Sequence, residues 1–157
     1  MLPVPVDAFV SFLLGAKRHT YASGETAARA TSLLPGSIQL EYALGDLLYR
    51  DSYFGGNFFA GQELVYFKTA PIWSMTYAGG LVPGTSTDPG PLYDFLKQAL
   101  RQVSPARPFR GPGLYRDSGF QYTDSGEGAI ERFYGVERIG YERQVVYELR
   151  YAGGVLE

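Results

Sequence analysis

The chain has 157 residues, and its 13 Tyr, 10 Phe and single Trp give it enough apolar surface for one folded domain, which excludes an intrinsically disordered segment. It has no cysteine and only one histidine, so a disulfide framework, a cysteine nucleophile and a zinc site of these ligands are excluded. The net charge of −2 gives no general attraction to nucleic acid or to anionic lipid.

The N-terminal segment is apolar, but its charges are not arranged as in a signal peptide. Lys17 and Arg18 follow the apolar run instead of preceding it, and Asp7 interrupts it. Two early prolines leave the run shorter than the roughly 20 residues that a membrane span needs. We therefore expect a soluble, cytoplasmic protein without a membrane anchor, whose first amphipathic helix covers about residues 6–18.

Alternation of apolar and polar residues predicts eight strands, four before and four after a second helix. They are expected at about 38–42, 47–52, 58–67, 72–77, 113–117, 119–124, 131–141 and 144–152. The second helix follows a linker at about 83–90 and carries an apolar stripe from Leu92 to Val103. Residues 22–37 are the least regular stretch, and 24–32 within it is predicted as either a short helix or a mobile loop.

Residues 59–82 resemble residues 133–156 at a constant shift of 74 positions (151 − 77), and both stretches contain Tyr-Ala-Gly-Gly. A tandem duplication explains this similarity, and two β-hairpins that merely look alike are the alternative. We therefore predict a single α+β domain over residues 1–157, built as two repeats of a helix and four antiparallel strands. The halves, about 6–82 and 91–156, are expected to share one core around a pseudo-two-fold axis.

The predicted fourth strand of each half places aromatic side chains on one face. Trp73 and Tyr77 point the same way in the first half, as do Tyr147 and Tyr151 in the second. The duplication predicts that Trp73 superposes on Tyr147 and that Tyr77 superposes on Tyr151. This aromatic face is expected either to meet a helix or to line a cavity.

The predicted third strands each place a carboxylate in the middle of an apolar stripe, Glu63 in the first half and Glu137 in the second. Burying an unpaired carboxylate is costly, so each glutamate must be paired with a cation, hydrogen-bonded by tyrosine, solvated in a cleft or protonated. Three roles stay open: a scaffold that holds a bent strand, a ligand-binding group, or one member of a general acid–base pair.

Two other segments are candidates for a site. Residues 51–56, which include Tyr53, form either a loop that cradles a ligand or only a turn. Arg107 and Arg110 lie in a proline-rich segment, where they either grip an anion or pair with carbonyl groups and a glutamate. The candidate ligand-binding residues are therefore Tyr53, Glu63, Trp73, Tyr77, Arg110, Glu137, Tyr147 and Tyr151.

Several short motifs together carry a family resemblance, among them Asp-Ser-Tyr-Phe-Gly-Gly at 51–56 and Pro-Ile-Trp-Ser-Met-Thr-Tyr at 71–77. Further matching positions are 17, 20–22, 35–37, 61–63, 95–96, 110–112 and 146–149. With these the chain resembles a family of bacterial domains of unknown function that often follow an Xre-type helix-turn-helix. The resemblance implies an effector-sensing or interaction module, without catalytic residues to transfer. Because this chain starts with a short first helix only, DNA binding is not carried over.

The sequence favours a small-molecule-binding or sensory module over an enzyme. The alternatives are an acid–base enzyme that uses Glu63 and Glu137, and a structural domain that binds a protein partner or a second copy. Since no phosphate loop, dinucleotide fingerprint or metal-ligand set is present, we expect no cofactor and no metal.

Overall fold

The computed structural model describes residues 1–20 and 29–157 and contains two helices and eight strands within them. The elements in chain order are α1 (Val6–His19), β1 (Ile38–Leu44), β2 (Leu47–Gly55), β3 (Phe58–Phe67), β4 (Ala70–Leu81), α2 (Pro89–Leu100), β5 (Leu114–Asp117), β6 (Phe120–Ala129), β7 (Arg132–Tyr141) and β8 (Gln144–Val155). Each predicted helix and strand is confirmed, with ends that move by a few residues. The predicted short helix or loop at 24–32 falls largely on residues 21–28, which lie outside the described residues.

All eight strands form one antiparallel sheet, in the order β1-β2-β3-β4-β8-β7-β6-β5. Short turns join most of the strands that lie side by side. Because such a turn reverses the chain direction, the strands that it joins are antiparallel. The two longest strands, β4 and β8, pair with each other in the middle, where Tyr77 faces Tyr151. The α+β class is therefore confirmed.

The predicted tandem duplication is wrong, because all eight strands form a single continuous sheet and not two separate four-stranded units. The similarity that prompted it has a local physical reason. β4 and β8 lie side by side, and both must let a neighbouring backbone come close. A Cβ on Gly79 would lie under 3.0 Å from the Leu149 backbone, and one on Gly153 would lie under 3.0 Å from the Met75 backbone. The repeated Tyr-Ala-Gly-Gly therefore reflects a shared packing demand on the two central strands.

Both helices cover the same face of the sheet, called here the inner face, and one hydrophobic core lies between them and the sheet. Trp73 and Met75 of β4 are fully buried there, whereas Thr76 on the opposite face is exposed. The helices contribute the apolar stripes that their sequences predict, including Phe9 and Leu13 of α1. One covered and one solvated face is the usual arrangement of an antiparallel sheet. Among the described residues, no helix has the length and apolar character needed to cross a membrane.

Two tyrosines on the central strands each reach across a neighbouring strand at a glycine. Tyr77 of β4 lies opposite Gly61 of β3, and its hydroxyl donates a hydrogen bond to Asp51 of β2 at 2.6 Å. Tyr151 of β8 lies opposite Gly135 of β7 and donates to Asp124 of β6 at 2.8 Å. Because glycine has no side chain, the ring can lie over the intervening strand and reach the carboxylate beyond it.

We predict that Gly61→Ala lowers the free energy of unfolding by about 2 kcal/mol or more, because overpacking forces neighbouring groups to move. A Cβ at this position would lie 2.6 Å from both Tyr77 Cζ and Tyr53 Cβ. Urea unfolding curves of the wild type and the variant measure the effect.

Gly56→Ala is the matched control, because a Cβ there meets nothing within 4 Å. A loss of stability that is equal in both variants would show that the open space over Gly61 is not needed by the Tyr77 ring.

Candidate functional site

The inner face of the sheet carries two pairs of carboxylates that lie directly opposite each other on neighbouring strands. Asp51 of β2 faces Glu63 of β3, and Asp124 of β6 faces Glu137 of β7. All four are buried, with at most 6% of each residue exposed. Like charges at such short cross-strand distances repel each other, so cations or protons must compensate them.

The Asp51 cluster consists of Asp51, Glu63, Tyr77 and Lys17. The fully buried Lys17 of α1 places its Nζ 2.5 Å from Glu63 Oε2. Tyr77 donates its hydroxyl to Asp51 Oδ1. None of the described residues donates a hydrogen bond to Glu63 Oε1, which is buried, and none donates to Asp51 Oδ2. This cluster therefore keeps unused acceptor capacity on both carboxylates.

The Asp124 cluster consists of Asp124, Glu137 and the arginines and tyrosines that bond to these two carboxylates. It is more completely bonded than the Asp51 cluster, and Glu137 lies at its centre. Arg110, from the segment between α2 and β5, donates to Oε1 of Glu137 at 2.7 Å and to Oε2 at 3.2 Å. Tyr147 adds a bond to Oε1 at 2.7 Å, and Tyr122 adds one to Oε2 at 2.8 Å. Four donors on one carboxylate leave little capacity for a further partner. Glu137 is thereby held as part of the scaffold.

Asp124 completes that second cluster at its edge. Its Oδ1 accepts the Tyr151 hydroxyl, and Arg107 Nη2 lies 3.3 Å from its Oδ2. The same Arg107 nitrogen donates to the Asp124 backbone carbonyl at 2.6 Å. Both carboxylates of the Asp124 cluster therefore face an arginine, whereas the Asp51 cluster has a single lysine.

Burial shifts the ionisation of these groups. Desolvation, followed by the charge of Glu63, raises the pKa of Asp51 to about 7, although Tyr77, Lys17 and Arg110 act in the opposite direction. Desolvation also raises the pKa of Asp124, and it lowers the pKa of Lys17 against the attraction of Glu63. Asp51 therefore exchanges its proton near neutral pH, which is the property required of a general acid or base.

A cavity of about 500 Å³ opens between α2 and strands β1 to β4, and its buried end is formed by Asp51, Tyr77 and Arg110. The volume lies in the range of small-molecule sites, roughly 300–1,000 Å³. The walls are aromatic and aliphatic: Ile38, Tyr53, Phe59, Tyr93, Leu96 and Leu100. The outer part is formed by Gly55, Gly56, Asn57, Pro89, Gly90 and Lys97. A cavity with apolar walls and a few buried polar groups is the usual form of a ligand site. We call it the Asp51 cavity.

Three of the eight predicted site residues, Tyr53, Tyr77 and Arg110, line this cavity. Glu63 lies behind Asp51 as its cross-strand partner. The other four are buried in the core and do not line the cavity: Trp73, Glu137, Tyr147 and Tyr151. The last three nevertheless each contact a lining residue. Trp73 is fully buried, stacks on Phe133 at 5.6 Å, and donates its indole N–H to the Ile130 carbonyl at 3.2 Å.

The carboxylate that lines the cavity is Asp51, which was not among the predicted ligand-binding residues. The sequence placed it at the start of a loop over 51–56, whereas β2 continues to Gly55. The sequence does carry a signal for Asp51: it stands two residues after Tyr49 on the same strand, so both side chains lie on one face, and Tyr49 is fully buried there. Phe59 and Tyr93 were also missed, because only the docking of α2 brings them together, with ring centroids 6.3 Å apart.

Within residues 1–20 and 29–157, no group of three or more metal-ligating side chains comes together. At the buried end of the Asp51 cavity, two carboxylates, one of them titrating near neutrality, lie beside a lysine, an arginine and a tyrosine hydroxyl. Such a set can hold a polar group of a ligand or transfer a proton to it.

One comparison with known proteins gives a match. A family model described as Domain of unknown function (DUF5680) matches residues 51–156, from Asp51 in β2 to the end of β8. The match contains every strand and loop that lines the cavity except β1. No curated protein and no solved structure is significantly similar to the chain.

We predict that Asp51→Asn removes a pH dependence of stability. The folded protein keeps the Asp51 proton up to about pH 7, whereas an unperturbed aspartate releases it near pH 3.8. Because the folded state binds the extra proton, the free energy of unfolding of the wild type falls as the pH rises between these values, and the loss is complete above pH 7. At 1.36 kcal/mol per pH unit, Asp51→Asn should be more stable than the wild type at pH 8 by up to about 4 kcal/mol.

Urea unfolding at several pH values between about 5 and 8 measures this difference. Asp94→Asn, at an exposed position of α2, is the control and should follow the wild type. Parallel curves for the wild type and Asp51→Asn over this range would contradict the assignment of the proton to Asp51.

We predict that Glu137→Gln lowers the free energy of unfolding by about 3–5 kcal/mol, because it leaves the buried Arg110 guanidinium without its counter-charge. Glu148→Gln, which breaks a half-exposed pair with Arg138, should cost less than about 1 kcal/mol. Chemical denaturation of the two variants in the same buffer makes the comparison. If both losses are equally small, Glu137 does not hold the scaffold together.

Proposed function

We propose that this chain, which belongs to the family of domains of unknown function DUF5680, binds a small organic molecule in the Asp51 cavity. The observation that carries the proposal is the cavity itself, with apolar walls and the buried Asp51, Tyr77 and Arg110 at its inner end. The apolar side chains of these walls leave surface that a ligand with an apolar body can bury.

The cost of the buried charges supports the same proposal. A buried ion pair contributes little net stability, because desolvation offsets the attraction between the charges. The Asp51 cluster adds two further costs. One oxygen of Glu63 has no hydrogen bond from the described residues, and the carboxyl group of Asp51, with a pKa of about 7, is only about half protonated at neutral pH. Buried groups with perturbed pKa values cluster at functional sites.

A sensory role fits this binding site. Arg110 belongs both to the cavity and to the Glu137 network, because its guanidinium lies 5.5 Å from the centre of the Tyr77 ring and donates to Glu137. A ligand that displaces Arg110 would therefore disturb the bonds of β7 and β8 as well. In a protein that carries a helix-turn-helix beside such a domain, this disturbance is the signal to be relayed.

Acid–base catalysis is the second candidate, and the pKa of Asp51 near 7 is the observation that favours it. If the domain is an enzyme, Asp51 accepts a proton from a bound molecule or donates one to it. Lys17 pairs with Glu63, whose charge raises the pKa of Asp51. A bound compound that leaves the protein chemically changed identifies catalysis, and one that leaves unchanged identifies a binding module.

We predict that the wild type binds one molecule of the neutral fluorescent probe N-phenylnaphthylamine per chain, and that Gly56→Trp weakens this binding at least about tenfold. Gly56 lies at the outer part of the cavity, and a Cβ there meets nothing within 4 Å, so the indole fills free space without straining the backbone. Fluorescence titration measures the affinity.

Gly113→Trp is the matched control, because Gly113 also has open space around it and does not line the cavity. It should bind the probe as the wild type does. Unsaturable binding, or equal binding by all three proteins, would rule out the Asp51 cavity as the site.

A further inference from the structure

The buried end of the Asp51 cavity has one more negative charge than positive charges when Asp51 is ionised. Lys17 is paired with Glu63, and Arg110 is paired with Glu137. Asp51 is the only carboxylate among the described lining residues, and its partner Tyr77 is neutral. Asp51 therefore has no ion pair of its own among the described residues: Lys17 and Arg110 act on it from pairs with other carboxylates, and Lys97 of the lining is partly exposed.

The second observation is the aromatic character of the walls. Tyr53, Phe59, Tyr77 and Tyr93 all line the cavity. Phe59 contacts two of these rings: it meets Tyr77 edge-to-face with centroids 6.0 Å apart, and it is tilted against Tyr93 at 6.3 Å. Aromatic faces attract cations through their quadrupole, and the Arg110 guanidinium already uses the Tyr77 ring in this way at 5.5 Å.

We infer that the ligand of the Asp51 cavity is an organic cation, namely an apolar or aromatic molecule that carries a protonated amine. This inference rests on the proposed function and names its ligand class. The ammonium group donates a hydrogen bond to Asp51 Oδ2, the oxygen to which none of the described residues donates. The apolar body lies between the aromatic side chains and Leu96 and Leu100 of α2.

An anionic ligand fits the same site less well, although two basic residues and a helix N-terminus lie at the cavity. The Arg110 guanidinium already makes two hydrogen bonds to Glu137. Lys97 is partly exposed, so its ammonium can reach water. The N-terminus of α2 has its own carboxylate, because Asp88 accepts a hydrogen bond from the Gly90 N–H at 3.0 Å.

Binding of an amine must depend on pH, because only ionised Asp51 attracts it. The charged or titratable groups around Asp51 are Glu63 on β3, Tyr77 on β4, Lys17 on α1 and Arg110, while its partner Leu40 on β1 is apolar. The helix α2 adds Tyr93 and Lys97 to the same cavity. A bound ammonium stabilises the ionised form and lowers the pKa of Asp51 from about 7. Binding therefore releases a proton, and the affinity rises as the pH increases towards 7 and levels off above it.

Three probes with the same apolar body test the ligand class: phenylbutylamine, phenylbutanol and phenylbutyrate. Isothermal titration calorimetry at pH 8 on the wild type should give at least about tenfold tighter binding of the amine than of the alcohol, and the weakest binding for the carboxylate, as a charge-assisted hydrogen bond predicts. Asp51→Asn should bind the amine and the alcohol equally. Asp124→Asn, in the cluster that does not line the cavity, should keep the preference for the amine.

The outcomes separate this inference from the proposed function. Equal binding of the amine and the alcohol by the wild type, or tightest binding of the carboxylate, overturns the cation and leaves a small-molecule site. If none of the three probes binds while N-phenylnaphthylamine does, the cation is likewise overturned and the small-molecule site stands. If that neutral probe also fails to bind, the proposed function itself is overturned.

A measurement on the wild type keeps the inference testable if Asp51→Asn does not fold. Titrations of the amine at pH 7, in buffers with different heats of ionisation, should show release of about half a proton per molecule bound, and the affinity should fall below pH 7. Proton uptake, or an affinity that is constant between about pH 5.5 and 8, contradicts the role of Asp51.

Discussion

The structure depends on the compensation of four carboxylates buried in two cross-strand pairs under the helices. No neighbouring strand supplies the compensating cations; they come from outside the sheet. Lys17 is carried by α1, and Arg107 and Arg110 by the segment after α2. Removing either covering segment would leave carboxylates in a nearly dry environment, which costs far more than a lost apolar contact. The position of α1, and the path of the chain between α2 and β5, are therefore fixed by charge as well as by apolar burial.

The tyrosines of the central strands extend this network sideways across the sheet. Tyr77 and Tyr151 pair with each other between β4 and β8, and each crosses a glycine to reach an aspartate two strands away. The hydrogen bond from Tyr77 links Asp51 to the middle of the sheet. Arg110 lies over the Tyr77 ring and donates to Glu137, so it links the two carboxylate clusters. The cavity is thus adjacent to the structural core and shares side chains with it. A bound molecule would contact groups on which the fold relies, which is the physical requirement for a sensor.

Periodicity alone predicts the helices, the strands and the inner face, because burial on one face leaves an alternation of apolar and polar residues, such as Trp-Ser-Met-Thr-Tyr at 73–77 of β4. The same alternation predicts that Glu63 and Glu137 lie on the buried face of their strands. Spacing along the chain does not predict which residues meet across strands: Asp51 faces Glu63 only because of the register of β2 with β3. Likewise, the contact of Arg110 with Glu137 follows from the path of an irregular segment, on which periodicity gives no information. The similarity of β4 and β8 indicated a duplication, since a pattern cannot distinguish common descent from a common packing environment.

The difference between lysine and arginine explains why Glu63 keeps unused acceptor capacity and Glu137 does not. The Arg110 guanidinium is a planar fork that binds both oxygens of Glu137, and two tyrosine hydroxyls complete that carboxylate. An ammonium is a point charge, and Lys17 meets only Oε2 of Glu63, which leaves Oε1 without a donor among the described residues. The negative potential that remains on Glu63 is one of the two main causes that raise the pKa of Asp51. Lysine at this one position therefore keeps the Asp51 cluster electrostatically incomplete. A ligand that brings a positive charge to the cavity supplies what Lys17 and Arg110 do not.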